Sequence, residues 1–250
     1  MHGWKICKVM DMAADVGAPC IGLCHSGGLR LHEILGPMQT FAELFYRNSI
    51  YSGVIPQISA IMGSVAGGQA YSPGLTDFIF MTKGSSTYIA GPAFCKTVVG
   101  EEISEEELGG TSMHSHVSGV CHVVAENDED CLLKIRDLLS YLPSSNKEKP
   151  PFVDTGDDPN RQDESLNTIL PPRSNQPYNM KNILSRVVDN GKMFEIHANW
   201  APNMIVGFAR LGGHSVGIIA NQPMIAAGCI DVWAAKQATM FIRFCDAFNI

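Results

Sequence analysis

The chain has 250 residues, a formal net charge of −7, 45% hydrophobic and 17% charged residues, the profile of a globular protein with enough apolar material for a core. An acidic balance without a Lys/Arg cluster speaks against a nucleic-acid partner, because phosphate backbones are bound through clustered cations; a compact anionic ligand needs only a few. No apolar run reaches the length of a membrane span, and no basic segment followed by an apolar stretch marks a secretory signal.

Residues 4–16 read as a helix, with Ile6, Val9, Met10 and Ala13 at three- and four-residue steps and Gly17 as the stop. Pro19 to Cys24 is a short apolar run, expected as a buried parallel strand, and His25-Ser26-Gly27-Gly28 as a tight loop after it. Residues 38–52 return to helical spacing. Val54 to Met62 is a second buried strand, and Gly63 to Gly68 a small-residue turn that opens a short helix. Phe78 to Met81 and Thr87 to Ala90 read as strands, the acidic Glu101 to Leu108 as a helix and Gly119 to Val124 as a strand. Asn127 stands at an N-cap position before a Leu- and Ile-rich helix reaching about Leu142. This alternation predicts an α/β fold with mostly parallel strands and ligands at their carboxyl ends.

Residues 143–178 hold Pro143, Pro150, Pro151, Pro159, Pro171, Pro172 and Pro177 among many Ser, Asn and Asp, and read as an extended linker. Beyond it a helix is expected from Met180 to Asn190. Strands follow at Met193–His197, Met204–Arg210 and His214–Ala220, the last two joined by a Gly212-Gly213 hairpin. An amphipathic helix covers Ile230 to Phe248. The expected organisation is thus 1–142, a linker at 143–178, and 179–250.

The eight cysteines form no CxxC pair and most lie in apolar runs, so buried reduced thiols are expected and a zinc site is not. That use of cysteine fits a cytoplasmic protein, or one of an organelle matrix if a targeting segment lies outside this chain.

Two glycine turns carry the chemistry. His25-Ser26-Gly27-Gly28-Leu29-Arg30 follows one buried strand; taken alone it reads as an ordinary β–α turn. Ala66-Gly67-Gly68-Gln69 follows another, where a helix start leaves amides without internal acceptors and can stabilise a developing oxyanion. Two such turns about forty residues apart favour one shared site. The acidic run at 101–108 reads as a solvated helix face and His122 as structural; His114, after a Gly-Gly turn, is the histidine least easily set aside. There is no Walker A loop or dinucleotide fingerprint, which argues against an NTPase and a dehydrogenase.

Together, the stretches at 17–33, 45–81, 91–110, 114–122, 138–146, 175–184 and 201–249 resemble, in order, the carboxyltransferase (β) subunits of biotin-dependent acyl-CoA carboxylases. The resemblance is to the type of propionyl-CoA carboxylase and the methylmalonyl-CoA carboxyltransferases and decarboxylases. Among its carriers are "CHSGGLRLHE", "IMGSVAGGQAYSPG" and "RLGGHSVGIIANQP". It implies an α/β, crotonase-like (ClpP/crotonase) fold with two related domains, both incomplete in this chain. It further implies a cytoplasmic hexamer of full-length subunits, with a biotin carboxylase or biotin carrier as partner. The implied reaction moves a carboxyl group between carboxybiotin, as cofactor, and a short-chain acyl-CoA through enolates held by backbone N–H pairs. By position, Gly67 and Gly68 match the oxyanion hole, Ser26, Gly27 and Gly28 the loop facing the thioester, and Ala66 the substrate side of the turn; for Arg30 two roles are open, helping with the CoA phosphates or bracing the loop, and bracing is favoured. His25 and Leu29 depart from the family's usual Asp and Ala, so substrate choice can differ. The first domain is expected to lack its first strands and the second to stop before its own oxyanion turn, leaving this chain inactive alone. Other readings are a decarboxylase subunit of a sodium-pumping complex, an enoyl-CoA hydratase-like enzyme, and a non-catalytic CoA-binding assembly subunit.

Overall fold

The structure, a computed structural model, describes residues 2–28, 31–33, 35–173 and 175–250. The chain divides into two compact units, Met1–Ile135 with Ser144–Lys147, and Arg136–Pro143 with Glu148–Ile250.

The first unit opens with α1 (His2–Val16), whose Cys7 and Met10 are buried against Leu44 of α2 (Leu35–Ile50). Val9, which the apolar spacing placed on the buried face, is exposed instead. Between the helices runs β1 (Cys20–Ser26), followed by β2 (Gln57–Ala66), β3 (Phe78–Thr82), β4 (Ser86–Tyr88) and β5 (Val123–Ala125). The sheet order is β1-β2-β3-β5, β4 pairs with the far end of β2, and every pairing is parallel. Such a sheet buries its central strands on both faces. Accordingly Ile58, Ala60, Ile61 and Val65 of β2 and Phe80 and Met81 of β3 are solvent-free.

β2 is longer than its apolar run. Gly63, Ser64, Val65 and Ala66 belong to the strand rather than to a turn, because Ser64, Val65 and Ala66 pair with Ser86, Thr87 and Tyr88 of β4. On the other side the register slips. Cys24 faces Ile61 but Ser26 faces Val65, so β2 gains residues against β1 just before both strands end. The short helix α3 (Tyr71–Gly74) is entered through a 3₁₀ turn at Gly67–Ala70. Then come α4 (Pro92–Val98), α5 (Glu105–Gly109) and α6 (Thr111–Met113). The acidic segment turns helical only at Glu105, where Ser104 and Glu107 form a reciprocal capping box. The strand expected from Gly119 begins at Val123; Gly119 has φ 70°, a left-handed backbone that cannot continue a strand, and His122 precedes it. Asn127 does cap α7 (Asp128–Leu139), its Oδ1 accepting the Asp130 amide at 2.9 Å.

The second unit contains α8 (Met180–Val187), which stops three residues before the expected end, and a three-stranded antiparallel sheet. Its strands are β6 (Met193–Ile196), β7 (Met204–Leu211) and β8 (His214–Asn221), and α9 (Val232–Ala247) packs on β7. Leu211 pairs with His214 across Gly212 and Gly213, whose φ of 56° and 80° make the two-residue hairpin turn. Among its described residues, the Pro-rich stretch holds only a 3₁₀ turn at Glu164–Asn167. All eight cysteines are free thiols.

Candidate active site

The ends of β1 and β2 lie side by side because Ser26 pairs with Val65. The two glycine loops that leave them therefore meet. Gly28 has φ 98°, and a Cβ there would come within 2.9 Å of the Ala66 carbonyl oxygen; Gly67 has φ 65°. Both positions demand glycine for the fold itself. The Gly28 amide donates to Ser26 Oγ at 3.2 Å, so that N–H is engaged within its own loop rather than open to a ligand. Gly67 and Gly68 are the first two residues of the 3₁₀ turn after the extended Ala66, and their amides have no acceptor within that turn. The expected helix N-terminus is thus a tight turn leading into one turn of helix. Leu29 and Arg30 lie outside the described residues.

Gly27 and Gly68 differ from their neighbours. Neither has a left-handed φ. A Cβ at Gly27 would meet nothing within 4 Å, and the nearest neighbour of one at Gly68 would be the Phe41 ring, at 3.7 Å, an ordinary contact. The fold does not require glycine at either place.

Beside this junction is a cavity of about 670 Å³ lined by Cys24, His25, Ser26, Gly28, Phe41 and Gln69. Burial pushes the Cys24 thiol up to about 11, against a lowering hydrogen bond from Gln69. The thiol there is a neutral wall. His25 lies over Gly63: a side chain at Gly63 would strike the imidazole at 2.7 Å, so that glycine is what lets the ring lie flat.

His114 and His122 are structural. The Thr87 carbonyl lies 2.8 Å from His114 Nε2 and can only accept, which makes Nε2 the protonated nitrogen and Nδ1 the acceptor of the Ser118 hydroxyl at 2.7 Å. His122 Nδ1 accepts the Ile79 amide at 3.1 Å and its ring stands edge-on to Phe78. No group of three or more metal-ligating side chains occurs among the described residues.

Sequence reasoning missed the polar cluster beneath the turn. Asn48 of α2 donates Nδ2 to Gln57 Oε1 at 2.9 Å and accepts the Ser72 hydroxyl at 3.0 Å; Gln57 returns a bond from Nε2 to the Asn48 carbonyl at 3.0 Å. Asp77 accepts the Gln57 amide at 2.8 Å. Each is an unremarkable polar letter at an element's end, and only the three-dimensional register joins them.

A family model described as a carboxyl transferase domain matches residues 1–250. The methylmalonyl-CoA decarboxylase subunit alpha of Veillonella parvula is 53% identical over 251 residues, covering 100% of this chain and 49% of that protein. The mitochondrial propionyl-CoA carboxylase beta chain of Homo sapiens is 49% identical over 250 residues, covering 100% of this chain and 46% of its own length. The chain spans about half the length of the curated relatives it matches. Among solved structures, a transcarboxylase 12S hexamer with methylmalonyl-coenzyme A and methylmalonic acid bound superposes with a TM-score of 0.97 at 40% identity, over 99% of this chain and 48% of that one. The fold is accordingly the α/β, crotonase-like fold of these carboxyltransferases. With the family model matching end to end, the chain belongs to the carboxyl transferase domain family.

Proposed function

We propose that the enzyme carrying this chain transfers a carboxyl group between carboxybiotin and a short-chain acyl-CoA of the propionyl-CoA/methylmalonyl-CoA type, and that this chain supplies the acyl-CoA side of the site. The reading rests on Gly27 and Gly68, glycines without a structural need, at the junction of two loops beside a cavity of mixed polar and apolar lining. Glycine in such places lets a ligand approach the backbone. In this reading the Gly67 and Gly68 amides hold the thioester oxygen, and stabilise it as it gains negative charge when the α-proton leaves. Ser26, Gly27 and Gly28 line the acyl side, and Ala66 sets the angle at which the turn leaves the sheet. When bound, carboxybiotin supplies the activated carboxyl group; no residue of this chain is assigned to its ring. A biotin carboxylase or carrier partner and a hexameric assembly belong to the same proposal, the latter supported by the hexamer of the 12S relative.

The relatives also favour a second reading. Methylmalonyl-CoA decarboxylase alpha subunits from Veillonella parvula and Propionigenium modestum are 53% and 49% identical, so the same half-reaction run towards decarboxylation is the alternative. No helix among the described residues is long and apolar enough to cross a membrane.

The test is Gly68→Val in the intact enzyme that carries this chain. Its Cβ has the Phe41 ring, which lines the cavity, as nearest neighbour at an ordinary contact distance, so folding should survive while the thioester oxygen is displaced. Carboxyl transfer to propionyl-CoA should fall by about 100-fold or more, the scale of losing an oxyanion donor. A variant with unchanged rate would remove the turn from the site.

A further inference from the structure

We propose that Asn48 is a positioning residue for the Gly67–Gly68 turn, acting through the Ser72 hydroxyl. The inference rests on the reading of that turn as the oxyanion site and adds what holds it in place.

Two consecutive glycines give a soft backbone. Neither Ala66, before the 3₁₀ turn, nor Ala70, before α3, supplies a side-chain cap. An oxyanion site needs its donors fixed to a fraction of an ångström. The turn runs without a break into Tyr71–Gly74, so whatever anchors that short helix anchors the glycines ahead of it. Tyr71 meets the Phe45 ring edge-on at 5.6 Å, a contact that holds distance but not direction. The directional anchor is the Ser72 hydroxyl, donated to Asn48 Oδ1 at 3.0 Å.

The Asn48 amide can point only one way. Gln57 gives its Nε2 hydrogens to the Asn48 carbonyl, so its Oε1 is left to accept, and it accepts from Asn48 Nδ2. That fixes Asn48 Oδ1 towards Ser72. Both amide side chains are 2% exposed, where a misdirected polar atom has no water to turn to. Gln57 is in turn locked at the start of β2 by Asp77, which accepts its amide at 2.8 Å and donates its own to the Gln57 carbonyl at 2.9 Å. The chain of bonds thus leads from β2 through α2 to the helix that follows the glycines.

A buried polar pair of purely structural role would alter stability alone. The deciding experiment uses the intact enzyme with Ser72→Ala, which cuts the link and leaves the Asn48–Gln57 pair whole, and Ser72→Thr, which keeps the hydroxyl. Ser72→Ala should lower kcat about tenfold, with KM for the acyl-CoA within about twofold, at a temperature where the variant is fully folded; Tm should fall modestly as well, because Asn48 Oδ1 loses its donor. Ser72→Thr should restore most of the loss. In an Asn48→Ala background, removing the Ser72 hydroxyl should cost no further rate, because the two act as one unit. An unchanged kcat for Ser72→Ala, alongside a Gly68→Val enzyme that has lost its rate, overturns the positioning role and spares the site. If Gly68→Val also keeps its rate, the reading of the turn has failed and this inference falls with it.

Discussion

Asp77 sits where a charge is unwelcome. Burial raises its pKa from 3.8 to about 6, against a lowering hydrogen bond from the Gln57 amide. The unfolded carboxyl titrates near 3.8, so below that pH both states hold the proton and folding carries no charge penalty. Between about 4 and 6 the unfolded state ionises first, and above 6 the folded state must hold a desolvated charge. Stability contributed by this residue is therefore full in acid and lost as pH rises through 6. The loss is of the order of 2 kcal/mol once residual solvent contact is allowed for. Asp77→Asn keeps an acceptor for the Gln57 amide and has no charge. It should flatten the pH dependence of the urea midpoint between pH 4 and 7, and be the more stable protein at pH 7.5. Identical profiles for the two proteins would show that the folded carboxyl titrates normally. Nothing in the sequence marked Asp77, Gln57 or Asn48: their partners lie 9 to 24 residues away and the spacing follows no period. The glycine turns were legible because glycine after an apolar run is a local signal. Which of those glycines the fold itself demands was not legible, since that depends on φ and on neighbours from another strand.

Strands and helices show where local signals stop. The apolar run at 54–62 announced β2, yet the strand continues through Gly63–Ala66 because β4 offers partners there, a non-local pairing that composition cannot reveal. The hairpin at Gly212-Gly213 was legible as a glycine pair between two apolar runs; its clasp was not. The Gly212 amide donates to Asp189 Oδ1 at 2.9 Å, and Oδ2 takes the Gly213 amide at 2.7 Å and the Thr155 hydroxyl at 2.8 Å. Burial works to raise the Asp189 pKa, but these bonds outweigh it and hold the carboxyl below the usual range. Its contribution is opposite in sign to that of Asp77: present above about pH 4 and lost as pH falls through the lowered folded value. Asp189→Ala leaves two turn amides without their acceptor and should destabilise the second unit by about 3 kcal/mol at neutral pH. Urea unfolding followed by Trp fluorescence reads this, with Trp200 and Trp233 as reporters in that unit. A change below about 0.5 kcal/mol would mean that water replaces the carboxylate without cost.

Over the whole molecule, the order of elements and the family were legible, because seven matching stretches recur in sequence and each carries its own turn chemistry. The surface was not. Val9 scored as a core position by helical spacing, but it lies with Met12 and Val16 on an exposed face of α1, at steps of three and four residues. Cys7 and Met10 take the buried side instead. Val232, Trp233 and Met240 of α9 are exposed as well. An amphipathic helix with a second apolar stripe is outside what one period can encode: the spacing finds the apolar residues but cannot say which stripe meets the protein's own core. Apolar faces left in water favour association, and the proposed oligomer would cover them with further copies of this protein. Light scattering on the purified chain at tens of micromolar should accordingly report a mass above that of one chain. Val9→Lys combined with Val16→Glu, two exposed positions on α1 with no core contact to lose, should lower that mass without lowering Tm. A monomeric parent would show that these side chains are tolerated in water and that the α1 stripe has no part in assembly; a double variant that stays associated would move the contact to another face.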